Sequence, residues 1–509
     1  MKKSFAISAG HEGTAEAARI IIEEGGNAVD AAIAALLASF VTEPCMSSAG
    51  GGGFAQVHLP DGKIWLVDFF CQTPLHKFDG GKADFYPIEV DFGEVREVFH
   101  IGMGSTAVPG SIAGIYEMHR QWGSMPMKVL VQPAIKLARE GVVVNDFQHE
   151  DFVLLQKILE IDPKAAPIFF PDGEFIKLGA RQYMPEQADF LEYLGKNGPD
   201  FFYKGEIART VAEDHQSAGG FLQRTDFESY QAILRKPLLF RYKNKQIYTN
   251  PLPSTGGMSM LMAFALYDEL DTATDFYKKE HVKGLAQVFQ QLDRFKKHPA
   301  TFEKWLVERK EIGLQAFHFG LPDNQKRGST THFNLVDGTG MAVSLTTTNG
   351  EGCGYFIKDS GIQLNNMLGE SALLPNGFHS WIPNSRLSSM MSPTLVLDHQ
   401  RGLECVLGSG GASRIPTAIF QVLINLLEFE YLLDQAVQLP RLHFEHGELN
   451  IEAANDMNYR KDDLVGKIKE WSGYSLFFGG VHSLLRSGHY WEAIGDHRRD
   501  GVALTSDTK

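Results

Sequence analysis

Cysteine is scarce: Cys45, Cys71, Cys353 and Cys405 are the only four in 509 residues. None forms a CxxC pair or lies near metal-spaced histidines, so neither a disulfide framework nor a metal site is expected. Reduced thiols in a reducing compartment are the default. Long apolar runs are missing as well. The longest, Ala31 to Val41, falls well short of the roughly 20 residues that span a bilayer. The apolar stretch behind Lys2-Lys3 gives way to Gly10-His11-Glu12, too short for a signal-peptide core. Cytoplasmic residence and no membrane partner follow as expectations. Basic residues number 48 against 62 acidic ones, a net charge of −14 with no basic stripe, which argues against nucleic acid as the main partner. Internal repeats and low-complexity segments are absent too. A 43% hydrophobic and 22% charged composition is ordinary globular material, long enough for one sizeable core or two or three domains.

Hydrophobic spacing predicts an opening strand at Phe5 to Ser8, a helix from Thr14 to Glu24 that stops at Gly25-Gly26, and a nearly all-apolar, buried helix from Ala28 to about Phe40. Alternation around Pro60-Asp61-Gly62 predicts a hairpin of Phe54 to Leu59 with Ile64 to Phe69. Gly50 to Gly53 leads into a strand without a following Gly-Lys-Ser/Thr, so close backbone packing or a turn is the better reading than a phosphate loop. Between about residues 110 and 310 helices dominate, clearest at Phe147–Leu159, Gln187–Leu194, Gly256–Leu270 and Val282–Phe295. Strands follow beyond Thr330, then a helix from about Pro416 to Gln435 and further short strands.

The polar run Pro322 to Ser329 ends abruptly at Thr330-Thr331-His332-Phe333-Asn334-Leu335-Val336. A turn signal, Asp337-Gly338-Thr339-Gly340, sends Met341 to Thr348 back as the second arm of a hairpin. A two- or three-residue loop sets Thr330 opposite Thr347 or Thr348, gathering hydroxyls at one edge of the sheet. Threonine is also an ordinary strand former, so the hairpin alone does not make Thr330 a nucleophile. The glycine pair Gly410-Gly411 stands before a helix start. It is either a tight strand-to-helix turn or a place where backbone N–H groups face an anion. Cys353, flanked by glycines, is a rival nucleophile without an ordered His/Asp partnership.

Downstream of the hairpin come Asn349 to Tyr355, Ser360 to Leu368, Leu387 to Thr394 and Gly408 to Arg414. Upstream stand Glu24 to Ala32, Gly50 to Phe54, Val108 to Ser111, Gln132-Pro133-Ala134 with Ala138 to Gly141, and Pro251 to Gly257. In this order they resemble the signatures of γ-glutamyltransferases (γ-glutamyltranspeptidases), members of the Ntn-hydrolase superfamily, over nearly the whole chain. The resemblance implies an α+β fold, the four-layer αββα Ntn-hydrolase sandwich. It also implies autocatalytic cleavage between Ser329 and Thr330. That cut gives a large subunit (1–329, mostly helical with N-terminal strands) and a small subunit (330–509) interleaved in one unit. Thr330 is then the nucleophile, with its new α-amine as base at a pKa of about 7.7–8.0, and Thr348 its hydrogen-bonding support. Gly410 and Gly411 become the oxyanion hole, and Asn349, Glu370, Ser388 and Ser389 contact substrate. No cofactor or metal is implied. The partners are a γ-glutamyl or other acyl amide and an amine or water acceptor.

Three positions depart from the family pattern. Where an arginine that clamps the glutamate α-carboxylate should follow Asp68-Phe69, the chain has Phe70. Met367 replaces a polar residue, and Glu370 stands where an aspartate holds the substrate amine. Losing a charge-assisted pair of this kind is worth about 1.5–3 kcal/mol. The amide-cleaving parts remain while the γ-glutamyl pocket loosens. An amidase or acylase with a non-glutamyl pocket is therefore the alternative within the fold, and an unprocessed, catalytically silent homologue the alternative outside catalysis.

Overall fold

The computed structural model describes residues 4–77, 81–91, 96–270, 279–297, 329–374, 376–457, 459–464 and 466–506. The polar run 322–328 lies outside them. In chain order the elements that frame the site are β1 (Phe5–Ala9), α1 (Glu12–Glu23), α2 (Ala28–Thr42), β2 (Gly52–His58), β3 (Ile64–Phe69), α3 (Ser111–Trp122), β4 (Ile233–Arg235), β5 (Leu238–Tyr242), β6 (Lys245–Thr249), α4 (Gly256–Asp268), α5 (Lys279–Lys297), β7 (Thr330–Asp337), β8 (Ala342–Thr348), β9 (Thr394–Asp398), β10 (Gly402–Gly410), α6 (Ile415–Leu427), α7 (Leu433–Gln438), β11 (Gly480–Ser487), β12 (Tyr490–Ile494) and β13 (Val502–Thr505).

One sheet runs β13-β1-β7-β8-β2-β3-β4, the other β12-β11-β10-β9-β6-β5. They stack face to face, with α1, α2 and α3 against the first and α4, α6 and α7 against the second. This is the four-layer αββα sandwich that the resemblance implies, and both sheets draw strands from either side of residue 329. Among the described residues no helix is long and apolar enough to cross a membrane.

Why α2 sits at the centre is written in its ends and its composition. Asn27 caps it through a reciprocal box with Asp30, whose side chain also accepts from Ser124 and Met125. Every residue from Ala28 to Thr42 is buried, and its alanines let the helix lie close on β7 and β8. The hairpin β7–β8 is buried on both faces, so its faces are distinguished by chemistry instead of exposure. Phe333, Leu335, Val343 and Leu345 join the apolar core around α2. The alternate residues face the other sheet. There Asn334 Nδ2 donates to the His482 carbonyl at 2.9 Å and Ser344 Oγ to the Leu407 carbonyl at 3.1 Å.

The expected helices stand within a few residues of their predicted ends. The exception is the one expected from Pro416 to Gln435, which is two helices, α6 and α7. Between them Glu430 takes a φ of 52°, a left-handed conformation that interrupts the helical ladder. Gly50 to Gly53 packs closely, as expected: a Cβ on Gly51 or Gly53 would collide with the carbonyls of Thr348 and Thr346 on β8.

Asp337 ties the hairpin turn to the sandwich. Its carboxylate accepts from Ala28 N at the start of α2 (2.9 Å) and from the Thr339 backbone and hydroxyl (2.8 and 2.6 Å). Asp337→Ala strands these donors and should cost about 1–3 kcal/mol, read as a lower denaturant midpoint. No change would mean that water replaces the carboxylate.

Candidate active site

The hairpin loop spans three residues, Gly338 to Gly340, because Asp337 N still bonds the Met341 carbonyl at 3.0 Å. That length sets the register: Thr330 pairs with Thr348 and Thr331 with Thr347. Thr330 and Thr348 thus point toward the gap between the sheets, and both line a cleft of about 590 Å³, counted to its solvent-open mouth.

Phe70, Glu370, Ser388 and Ser389 line the same cleft, so six of the ten residues expected at the site meet there. Phe70 is buried and stacks on Phe54 with ring centroids 5.5 Å apart. The serine pair is held by the Pro251–Gly257 turn, where Ser254 Oγ and Thr255 N donate to the Ser389 carbonyl at 2.9 and 2.8 Å. Gly410 ends β10 and Gly411 follows at φ 118°. A Cβ on Gly410 would collide with the Thr330 carbonyl oxygen, so glycine is what lets the two sheets close beside Thr330. The cleft wall itself is formed by Ala412 and Ser413 just beyond the pair. Asn349 is fully buried behind the cleft, its Nδ2 reaching the Gln363 carbonyl at 3.4 Å.

Ser329 is buried beside Thr330. Thr348 Oγ1 donates to the Ser329 carbonyl oxygen at 2.5 Å, and Gly350 N donates to that threonine hydroxyl at 3.0 Å. Cys353 is apart from this arrangement. It is buried, its thiol points at the Tyr355 carbonyl, and burial pushes its pKa up to about 11, which leaves almost no thiolate to act as a nucleophile.

Four residues that sequence reasoning did not single out complete the surroundings. Arg499 Nη1 donates to the Thr330 carbonyl at 3.0 Å, and Thr331 Oγ1 donates to Glu43 at 2.5 Å. Asp151 lies close enough to Arg499 and Glu43 to feel both charges, and Glu351 accepts from Ser329 Oγ. Arg499 and Asp151 are more than 150 residues from Thr330 in opposite directions, so no local pattern marks them. Glu351 did carry a signal, a carboxylate between two glycines just after β8.

Burial lifts the Glu43 carboxyl from its ordinary 4.5 to about 7, against hydrogen bonds from Thr331 and Thr14 and the Arg499 charge. Asp151 is lifted in the same way, to about 7. The folded chain thus keeps a proton on Glu43 that the unfolded chain releases near 4.5. The resulting stability is fully present below that lower value and is lost as pH rises through about 7. Glu43→Gln removes this titration, with Asp151, Arg499 and His482 left facing a neutral amide. The variant should lose less melting temperature than the parent between about pH 5 and pH 8. An identical pH dependence in both proteins would place the titration elsewhere.

The family described as Gamma-glutamyltranspeptidase matches residues 14–506. The glutathione hydrolase proenzyme of Escherichia coli (strain K12) is 30% identical over 475 residues, 85% of this chain and 80% of that protein. The acylase ACY 1 proenzyme of Pseudomonas sp. (strain SE83) is 29% identical over 463 residues, 85% of this chain and 81% of its own length. In fold, the cephalosporin acylase from Bacillus halodurans superposes with a TM-score of 0.80 at 21% identity, over 99% of this chain and 96% of that one. With a family match across residues 14–506 on an αββα sandwich, the chain is an enzyme and belongs to the γ-glutamyltranspeptidase family.

Proposed function

We propose that the chain cuts itself between Ser329 and Thr330 and then acts as an N-terminal threonine hydrolase or acyltransferase on amides whose acyl group is largely apolar. The observation that carries the substrate class is the lining of the cleft. Phe70, Met367, Leu373, Met390, Met391 and Ile415 surround Thr330, and the one ionisable side chain among the lining residues is Glu370. A carboxylate entering such a wall loses its hydration and finds no cation in return.

The chemistry asked of Thr330 needs its α-amine. Once free, that amine takes the hydroxyl proton, and the oxygen attacks the amide carbonyl to give an acyl-enzyme that water or an amine resolves. Thr348, paired across the hairpin, orients the hydroxyl. Donors at the Gly410–Gly411 turn receive the oxyanion, a contribution of about 10²–10³ in rate where such donors have been removed. The names of the related proteins span glutathione hydrolase and acylase proenzymes, which fits a shared amide-cleaving core with different acyl pockets.

A second reading is favoured by Glu370, whose carboxylate suits a substrate ammonium group. A γ-glutamyl amide bound mainly through its α-amine would use it.

Thr330→Ala should leave one chain near 56.6 kDa and no turnover, whereas Cys353→Ala should still be cut. An active threonine variant would show that the nucleophile has been misassigned. The two substrate readings separate in kcat/KM for matched anilides with and without an α-carboxylate. A ratio within about tenfold is expected, and Phe70→Arg should lower KM for the γ-glutamyl anilide. A parental preference for the carboxylate of roughly 10²-fold, about 2.7 kcal/mol, would establish the γ-glutamyl reading instead.

A further inference from the structure

Ser329 is gripped at two points by one short segment. Its carbonyl oxygen accepts from Thr348 Oγ1 at 2.5 Å, and its hydroxyl donates to Glu351 Oε2 at 2.8 Å. Thr348 and Glu351 are separated by Asn349 and by Gly350, which takes a φ of 61°. The left-handed turn lets both side chains reach back to the same residue. The segment is itself fixed: Gly350 N donates to Thr348 Oγ1 at 3.0 Å and Glu351 N to Asn366 Oδ1 at 2.9 Å.

Glu351 is an expensive residue to place there. It is 1% exposed, and its second oxygen, Oε1, is buried with no hydrogen-bond partner among the described residues. Leaving such an atom unsatisfied costs about 1–3 kcal/mol. Burial, with Glu370 and Asp151 nearby, holds its carboxyl well above the ordinary range, and Oε2 accepts the Ser329 hydroxyl. A buried carboxyl whose one described side-chain hydrogen bond runs to the residue before the scissile bond has little structural return, and groups with that profile gather at functional sites.

We infer that Glu351 is a positioning residue for self-cleavage, acting through the Ser329 hydroxyl. With Thr348 on the carbonyl oxygen and Glu351 on the side chain, the plane of the Ser329–Thr330 peptide cannot rotate, and its carbonyl carbon is held for attack by the Thr330 hydroxyl. The inference rests on the self-cleavage proposed above. In that reaction the Thr330 oxygen bonds to the Ser329 carbonyl carbon as the C–N bond breaks. The proton lost from the hydroxyl is balanced by one gained at the Thr330 nitrogen. Water then hydrolyses the ester, leaving a Ser329 carboxylate, the free Thr330 hydroxyl and its α-amine. Glu351 touches none of the bonds that change.

The test is the time course of precursor loss on a denaturing gel for the parent, Ser329→Ala, Glu351→Ala, Glu351→Gln and Ser329→Ala/Glu351→Ala. Each alanine variant should slow cleavage about tenfold or more, since small misplacements of a reacting group can cost up to about 10²-fold. The double variant should be no slower than Ser329→Ala alone, which already removes the hydroxyl's contacts to both Glu351 and Asp151. Glu351→Gln should cleave near the parental rate, its amide oxygen accepting the same hydrogen bond. Ser329→Ala deletes only a hydroxyl, so it remains informative if Glu351→Ala fails to fold. Parental rates in both single variants, or rate losses that multiply in the double, would overturn this inference while leaving self-cleavage standing. A parent that is never cut would overturn both.

Discussion

The pairing of Thr330 with Thr348 is the constraint on which the rest of this site depends. Side chains alternate across a sheet, so a slip of one residue would turn both hydroxyls away from the gap between the sheets and toward α2. The hairpin cannot slip without exchanging Phe333, Leu335, Val343 and Leu345 for His332, Asn334, Ser344 and Thr346 in the apolar core. His332 is bonded through both ring nitrogens, to Thr346 at 2.8 Å and Asn334 at 2.9 Å, and burial drives its pKa down to about 3. A neutral, doubly satisfied imidazole belongs in the polar layer between the sheets and nowhere in the layer against α2. The register is therefore enforced from both faces, and Gly408 and Gly410 leave room on the opposing strand for His332 and for the Thr330 carbonyl.

Enclosing this strand end on all sides has an electrostatic consequence. Glu43, Asp151 and Glu351 all lie in the interior near residues 329 to 331, and for each of them burial is the largest influence, favouring the neutral carboxyl. Among the described residues the cation in contact with this group is Arg499, which is itself pulled down to about 10 by burial and still carries its charge at neutral pH. It directs that charge at the Thr330 carbonyl. A neutral-leaning acid cluster with a single fixed cation lets the chain bury ionisable groups without the several kcal/mol that unpaired ions would cost. Burial lifts Glu43 and Asp151 to about 7, close to neutral pH.

The strongly periodic elements were legible in the sequence because a sandwich of four layers imposes its pattern locally: a nearly all-apolar helix buried between the sheet and other helices, and a hairpin whose turn residues fix its own register. The loop Gly338 to Gly340 was enough to narrow the partner of Thr330 to two residues. The break between α6 and α7 was not legible, because no glycine or proline marks it and Glu430 adopts a left-handed conformation that its sequence does not demand. Arg499, Asp151 and Glu43 escaped notice for a different reason. Their relation to Thr330 is created by the packing of strands and helices far apart in the chain, and spacing carries no trace of it. Asn349 shows the converse. Its neighbourhood is where a binding residue was expected, yet the tight turn through Gly350 carries its side chain inward, so that the carboxyl two residues on, Glu351, is the one that reaches Ser329.

Positive charge beside β3 is held within the fold. The strand ends in Asp68-Phe69, and Asp68 is fully buried between two guanidinium groups, Arg235 at 2.7 Å and Arg386 at 3.3 Å. Arg386 also donates to the Phe70 and Gln231 carbonyls at 2.6 and 2.7 Å and lies over the Tyr230 ring. A cation thus lies against Phe70, where the family pattern places its carboxylate clamp, but two of its nitrogens bond backbone carbonyls and its Nε faces Asp68. Arg386 lines the adjoining cleft and not the one at Thr330. For a substrate carboxylate to recruit it, two backbone carbonyls and a buried aspartate would have to give up their partner together. Each such loss carries a desolvation cost of the same order as the new ion pair. The phenyl ring of Phe70, stacked on Phe54, meets no such competition. The proposed preference for an apolar acyl group thus rests on this ring and its neighbours in the cleft, where Glu370 is the one ionisable side chain among the lining residues.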